Sequence, residues 1–564
     1  MRLQGWMKKA PSWGLFYVLF LFAPVGLATG PGVSAVATAH PLATEAGQLI
    51  LKQGGNAFDA AVAVSAVLAV VEPYSSGLGG GGFWLLHRQS DGFEVMLDGR
   101  ERAPSAAHRD MYLDPTGAVI PGRSIDGPLA AGIPGEPAAL VHLSEHYGRL
   151  PLKVVLAPAI QIARDGFHVD EIYQRMCQWR LQALRNSASA TSIFLQQGEV
   201  PNLGETIRQP ELANTLESIA KQGMEGFYAG EVASRLVEAV RAGGGIWQLK
   251  DLADYRVVER EPIRGHYQHL RITSAAPPSS GGVALVTMLN ILQGFNLPDL
   301  EEPQRTHLIV EAMRRAYRDR ADYLGDPDWV DIPVDALLHP WYAAGLARDI
   351  QLDRATPSRG ERSEPAGQDT THFSILDADG NRVAATLSIN YPFGSGFVAP
   401  GTGVLLNDEM DDFSAKPGTP NVYGLVGGEA NAIAGGKRML SSMTPTFVED
   451  EDRVAILGTP GGSRIISMVL LGILEMADHK SPADWVNQPR FHHQYLPDEI
   501  QFEAGAFSEA MQDQLKGMGH KLAPLQHSYG NMQAILWNRK TGKVEAASDS
   551  RGIGMATIEP ETAQ

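Results

Sequence analysis

The chain has a single cysteine, Cys177, in 564 residues. One thiol cannot close an intrachain disulfide, nor build an all-cysteine zinc or iron–sulfur site. Positive charge is also scarce. There are 47 lysines and arginines against 64 aspartates and glutamates, a formal net charge of −17 and a pI near 5.4. No run of Lys or Arg offers the basic face that nucleic acid requires. No G-x-S-x-G elbow is present, and no lysine follows a glycine loop in Walker fashion. Nor is there an internal repeat of fixed period. Beyond the first 28 residues no apolar stretch is long enough to span a bilayer. What is there is ordinary globular composition, 44% hydrophobic and 20% charged, with ample chain for a large core. At about 150 residues per domain the length suits three or four domains.

Residues 1–28 read as an export signal. Arg2, Lys8 and Lys9 form a basic start, Trp13 to Leu27 is apolar, and Gly26-Leu27-Ala28 offers small residues at a cleavage site. A retained signal anchor is the alternative, but Pro24 and Gly26 interrupt a run already short for a span. Cleavage after Ala28 removes three positive charges and no negative ones, leaving about −20. The reading is a periplasmic or secreted protein.

Pro41 to Lys52 has helical periodicity and stops at Gly54-Gly55. Asn56 caps a second helix, Ala57 to Val71, apolar nearly all round and therefore buried. Gly77 to Gly82 matches G-x-G-x-x-G, but with a helix before it and a strand after it. A dinucleotide site needs the reverse order, so close backbone packing is the better reading. Residues 136–167, 208–243 and 305–324 have helical patterns. After a Pro/Gly-rich polar linker at 351–368 the texture turns to β. Thr371 to Leu376 and Arg382 to Ile389 flank an Asp-Gly turn and predict a hairpin. A strand at 454–457 precedes Pro460-Gly461-Gly462-Ser463, and helices are expected at 465–476 and 509–518. The mixture implies an α/β or α+β sandwich. His142 and His146 share a helical face but lack the glutamate of a zincin, and His492-His493 point apart on a strand. Neither pair reads as a metal site, and no cofactor motif is found.

The junction Gln368-Asp369-Thr370-Thr371 carries chemistry. Either a linker simply enters a β-domain, or the 369–370 bond is cut and Thr370 gains a free α-amine. Such an amine titrates near ~7.7–8, so it can act as general base for the threonine's own hydroxyl. No separate His-Asp relay is then needed.

These residues resemble the γ-glutamyltranspeptidases (glutathione hydrolases) of the N-terminal-nucleophile superfamily. The resemblance runs from about Ala35 to Arg551. It rests on HPLATEAG (40–47), GNAFDAAVA (55–63), VVEPYSSGLGGGGF (70–83), LDGRERAP (97–104), EAMRRAYRDRADYLGDP (311–327), TTHFS (370–374), NDEMDDFS (407–414), PNVYGLVGG (420–428), LSSMTPT (440–446), GTPGGSRI (458–465) and PRFHHQ (489–494). It implies an α+β fold, a four-layer αββα sandwich shared by two subunits of one precursor. These are a large subunit 29–369 and a small subunit 370–564, which form a heterodimer after self-cleavage. It also implies attack by Thr370 on glutathione or related γ-glutamyl compounds, with transfer to water or to an amino acid or peptide acceptor.

By the same resemblance Arg100 clamps the donor α-carboxylate, helped by Ser441 and Ser442. Asn390, Glu409 and Asp412 hold its α-ammonium. Gly461 and Gly462 form the oxyanion hole, and Ser388, usually Thr in relatives, supports the nucleophile. Tyr423 gates a lid at 417–428, whose presence favours a γ-glutamyl over a glutaryl substrate. Asp369, Phe373 and Tyr391-Pro392 depart from the usual residues. The last pair lies beside Asn390 and leaves the balance of hydrolysis and transfer open. An amide-side-chain acylase on the same fold, or an unprocessed binding protein using the pocket, are the competing readings.

Overall fold

The computed structural model describes residues 30–359 and 370–560. The expected signal peptide and Asp369 lie outside the described residues. No helix among the described residues is long and apolar enough to cross a membrane.

Two sheets lie face to face. The first has seven strands, ordered Met555–Pro560, Val33–Thr38, Thr371–Leu376, Arg382–Ser388, Gly81–Arg88, Phe93–Gly99 and Val258–Arg260. The second has six, ordered Val544–Ser548, Gln533–Asn538, Arg453–Gly458, Thr446–Glu449, Leu270–Ser274 and Ile263–Tyr267. One apolar cluster joins Ala57–Val71 and its neighbouring helices to the outer face of the first sheet, through Trp84, Ile375 and Val383. A second fills the space between the sheets with Phe83, Leu85, Ala455 and Leu457. It continues to the helices Gly281–Leu292, Glu302–Tyr323 and Ile465–Ala477. The layers are therefore helix, sheet, sheet, helix, as expected of the α+β sandwich.

The helix Ala57–Val71 is buried along its entire length. It begins in a capping box, in which the Asn56 side chain accepts from Phe58 and Asp59 while Asp59 accepts from the Asn56 N–H. Residues 136–167 form three helices rather than one, with breaks at 147–151 and at Leu156. Helices at Glu171–Arg185 and Gly281–Leu292 had no counterpart in the pattern reading. The latter is hydrophobic nearly all round, so it shows little periodicity.

The expected hairpin is present, with Thr371 opposite Leu387 and Gly380 at a φ of 95° in its turn. That register carries Ser388 to the level of Thr370. Ser388 lies opposite Gly81, and Gly82 lies opposite Gly99. One row across the end of four adjacent strands thus holds Thr370, Ser388, Gly81 and Arg100. Gly81 is required there, because a Cβ would overlap the Gly99 carbonyl and come within 2.9 Å of the Glu101 carboxylate.

Candidate active site

A cleft of about 290 Å³ opens at that row. Thr370, Ser388 and Arg100 line it from the first sheet. Ser441, Ser442 and Gly462 line it from the loops bounding strands Thr446–Glu449 and Arg453–Gly458. Asn390, Glu409, Asp412 and Tyr423 complete the predicted set, and Gly461 precedes Gly462 without lining the cleft. Ten of the eleven site residues expected from the sequence therefore meet in one place.

Arg100 is 1% exposed. It reaches Glu409 through Nη1, Asp412 through Nη2 at 2.5 Å, and the Met439 carbonyl through Nε at 3.3 Å. Glu101 lies 3.5 Å from the same guanidinium. Burial opposes the charge of Arg100, but Glu409, Asp412 and Glu101 outweigh it and raise its pKa. The three carboxylates are all pushed upward, chiefly by burial, which Arg100 offsets only in part. Glu409 is carried to about 7. Desolvation disfavours three ionised carboxylates around one guanidinium, so the site holds a proton in reserve at neutral pH.

The surroundings of Thr370 are built from hydroxyls and backbone. Ser388 Oγ accepts from the Asn390 N–H at 2.8 Å and also bonds Glu409. Asn390 has a φ of 75° and donates its side-chain amide to the Asp408 carbonyl at 3.1 Å. Ser441 Oγ accepts from the Met443 N–H at 3.1 Å. Ser442 Oγ accepts from Arg320 Nη2 at 3.4 Å. Arg320, buried on the helix Glu302–Tyr323, is a second cation at the cleft that the sequence reading passed over. Its signal was present in the matched 311–327 segment, but nothing there marks one arginine of four. Leu425, Met443, Ser463 and Ile465 also line the cleft and were not singled out.

The 417–428 segment is closed over the cleft. Tyr423 is 3% exposed and donates its hydroxyl to the Asn390 carbonyl at 2.6 Å. Asn421 donates to Asp412 at 3.2 Å, and the Val422 N–H donates to Asp411 at 2.9 Å. Gly461 and Gly462 have φ of 142° and 55°, and a Cβ on Gly462 would strike the Tyr423 ring. Glycine here admits both the turn and the lid.

Two other clusters bring His and Glu ligand atoms within 4.8 Å, His307/Glu311/His520 and His87/Glu94/Glu449. Arg314 and Arg315 already neutralise Glu311, and Arg271 bridges Glu94 to Glu449. His142 pairs with Glu259 at 2.8 Å, while His492 and His493 bond Ser467 and Asp498, as structural histidines do.

The family model for gamma-glutamyltranspeptidase matches residues 43–558. The chain belongs to the gamma-glutamyltranspeptidase family. It is 43% identical over 527 residues to the glutathione hydrolase proenzyme of Escherichia coli (strain K12), covering 92% of this chain and 90% of that one. It is 44% identical over 524 residues to that of Pseudomonas sp. (strain A14), covering 91% and 90%. Among solved structures, the cephalosporin acylase from Bacillus halodurans superposes with a TM-score of 0.82 at 28% identity, covering 94% of this chain and 96% of that one. The Helicobacter pylori gamma-glutamyltranspeptidase does so at 0.56 and 39% identity, covering 57% and 92%. The family's α+β sandwich is the fold described above.

Proposed function

We propose that the chain is an exported precursor that cuts itself between Asp369 and Thr370 and then acts as a glutathione hydrolase and γ-glutamyltransferase. Residues 29–369 and 370–564 are its large and small subunits, and residues 1–28 its signal peptide. The observation that carries this reading is the clasp of Arg100 by Glu409 and Asp412 in the cleft that Thr370 lines. A buried cation beside paired carboxylates is the complement of an amino acid zwitterion. The donor α-carboxylate displaces Glu409 and Asp412 from the guanidinium and gains Ser441 and Ser442. The freed carboxylates, with the Asn390 amide, receive the α-ammonium. One set of internal ion pairs is exchanged for another, so little charge is stranded during binding.

The γ-carbonyl then reaches Thr370. The α-amine of Thr370 takes the hydroxyl proton, Oγ bonds the carbonyl carbon, and the N–H groups of Gly461 and Gly462 receive the oxyanion, each worth roughly 3 kcal/mol. The amine leaves with the proton, and the γ-glutamyl ester passes to water or to an acceptor amine. A glutaryl substrate of an acylase lacks the ammonium and would leave Glu409 and Asp412 uncompensated, which is costly.

Mass spectrometry of the purified protein tests the reading. Two chains are expected, the smaller beginning at Thr370, together with release of glutamate from glutathione. A Thr370→Ala protein that still cuts itself and still hydrolyses glutathione would sink the proposal.

A further inference from the structure

The helix Glu302–Tyr323 carries five arginines. Four of them have a carboxylate partner. Arg305 pairs with Asp478, Arg314 and Arg315 share Glu311, and Arg318 pairs with Asp319. Arg320 has none among the described residues. It is 5% exposed, and its guanidinium meets serine hydroxyls instead. Nε donates to Ser280 Oγ at 3.0 Å and Nη2 to Ser442 Oγ at 3.4 Å. Ser280 in turn gives its hydroxyl and its N–H to the Ser441 carbonyl, at 2.6 and 2.8 Å. Arg320 thus braces both members of the Ser441-Ser442 pair, one directly and one through Ser280. Burial pulls its pKa below the usual arginine value, and the charge of Asp412 opposes this only in part. A buried guanidinium set against neutral hydroxyls is poorly compensated.

A serine hydroxyl has one proton and two lone pairs. Ser442 Oγ receives the guanidinium N–H, and Ser441 Oγ receives the Met443 N–H at 3.1 Å. Each oxygen is filled from behind, so each keeps its proton to give. Neither O–H has an acceptor among the described residues, and both serines line the cleft. A hydroxyl that accepts from a cation also donates more strongly. Two hydroxyls fixed as donors suit a ligand group that can only accept, as an ionised carboxylate does.

We infer that Arg320 is a positioning residue for donor selection: acting through Ser442 and Ser280, it makes the serine pair fixed proton donors and sets a second positive charge behind the α-carboxylate that Arg100 receives. The inference rests on the γ-glutamyl reading proposed above. Recognition of that carboxylate then depends on two arginines, of which Arg100 alone lines the cleft.

The test compares processed wild type with Arg320→Met, Arg320→Lys, Ser442→Ala and the Arg320→Met/Ser442→Ala double variant. The donors are a γ-glutamyl anilide and a γ-aminobutyryl anilide, which lacks the α-carboxylate. Arg320→Met should lose about tenfold in kcat/KM with the γ-glutamyl donor, through KM rather than kcat, and about fivefold less than that with the γ-aminobutyryl donor. Arg320→Lys keeps the charge without the fork and should raise the γ-glutamyl KM about threefold. Ser442→Ala should cost the γ-glutamyl donor less in the Arg320→Met background than in wild type, because the two side chains act as one unit. Equal losses on the two donors, as a merely structural brace would give, overturn the inference. So does an Arg320→Met enzyme with its γ-glutamyl KM intact, or a double variant in which the two single losses multiply. If Arg320→Met yields no processed enzyme, Arg320→Lys decides, and an unchanged γ-glutamyl KM there overturns the inference. A wild-type enzyme that leaves the γ-glutamyl anilide untouched would instead overturn the function on which the inference rests.

Discussion

Replacing Arg100 with methionine tests the site most directly. The side chain keeps its bulk and loses its fork. A bound α-carboxylate would take two charge-assisted hydrogen bonds from the guanidinium, each worth about 1.5–3 kcal/mol. Their loss predicts a fall of roughly 10² to 10⁴ in kcat/KM for a γ-glutamyl anilide. A second effect follows from the clasp. Arg100 is the group that holds Glu409 and Asp412 down against burial. Without it both carboxylates rise further and spend more of the neutral range protonated, which weakens their hold on the ammonium. In the wild-type enzyme kcat/KM should fall as pH drops through about 7, the value for Glu409. In Arg100→Met that acid limb should move to higher pH. A γ-aminobutyryl anilide, which lacks the α-carboxylate, separates the two effects, because it can lose only the second. Steady-state kinetics of both donors from pH 5 to 9 on both proteins complete the cycle. The reasoning is refuted if Arg100→Met costs the glutamyl donor less than about tenfold. It is equally refuted if both donors lose the same factor, or if the acid limb stays in place.

Two further outcomes are expected. Gly462→Ala puts a methyl into the Tyr423 ring at a φ of 55°; the lid must separate from the turn that is proposed to hold the oxyanion, so kcat should fall about a hundredfold or more in the same assay while mass spectrometry still shows both chains. Glu72→Gln should change stability with pH. Burial raises Glu72 from the usual 4.5 to about 7, so the folded protein holds its proton where the unfolded chain has lost it. Wild-type stability from this group is complete below 4.5 and is lost as pH rises through 7, by roughly 3 kcal/mol. The glutamine variant, which still accepts from Thr371, should therefore melt higher than wild type at pH 8 and alike at pH 4. Thermal scans at the two pH values decide it, and a variant that melts lower at pH 8 refutes the assignment.

Local features of the fold were legible because their causes are local. The helices Pro41–Lys52 and Ala57–Val71 fall where periodicity and the Asn56 cap place them, and the Asp-Gly turn specifies the Thr371–Ser388 hairpin. Strand order was not legible. Val33–Thr38 lies between Met555–Pro560 and Thr371–Leu376, a pairing across hundreds of residues that no nearby signal encodes. The site was legible through its motifs, yet its electrostatics were not. Arg100 and the pair Glu409 and Asp412 read as separate clamps for separate charges. Only the structure brings them into mutual contact, because side-chain contact across three hundred residues depends on the finished sheet. Arg320 stayed hidden for the opposite reason. It lies inside the matched 311–327 segment as one arginine of four, so its neighbours explained its presence.

The row formed by Thr370, Ser388, Gly81 and Arg100 has a consequence for selectivity. Strands in a sheet are spaced by backbone hydrogen bonds at about 4.7–4.9 Å, so Thr370 and Arg100 stand three such steps apart, about 14 Å between Cα atoms. The sheet is a ruler. On the proposed function it sets, together with the reach of the Arg100 and Thr370 side chains, the span between the carboxylate that docks and the carbonyl that reacts. On the proposed function a β-aspartyl donor, one methylene shorter, should satisfy one end or the other, and a preference for the γ-linkage would follow from the sheet's repeat as well as from the pocket wall.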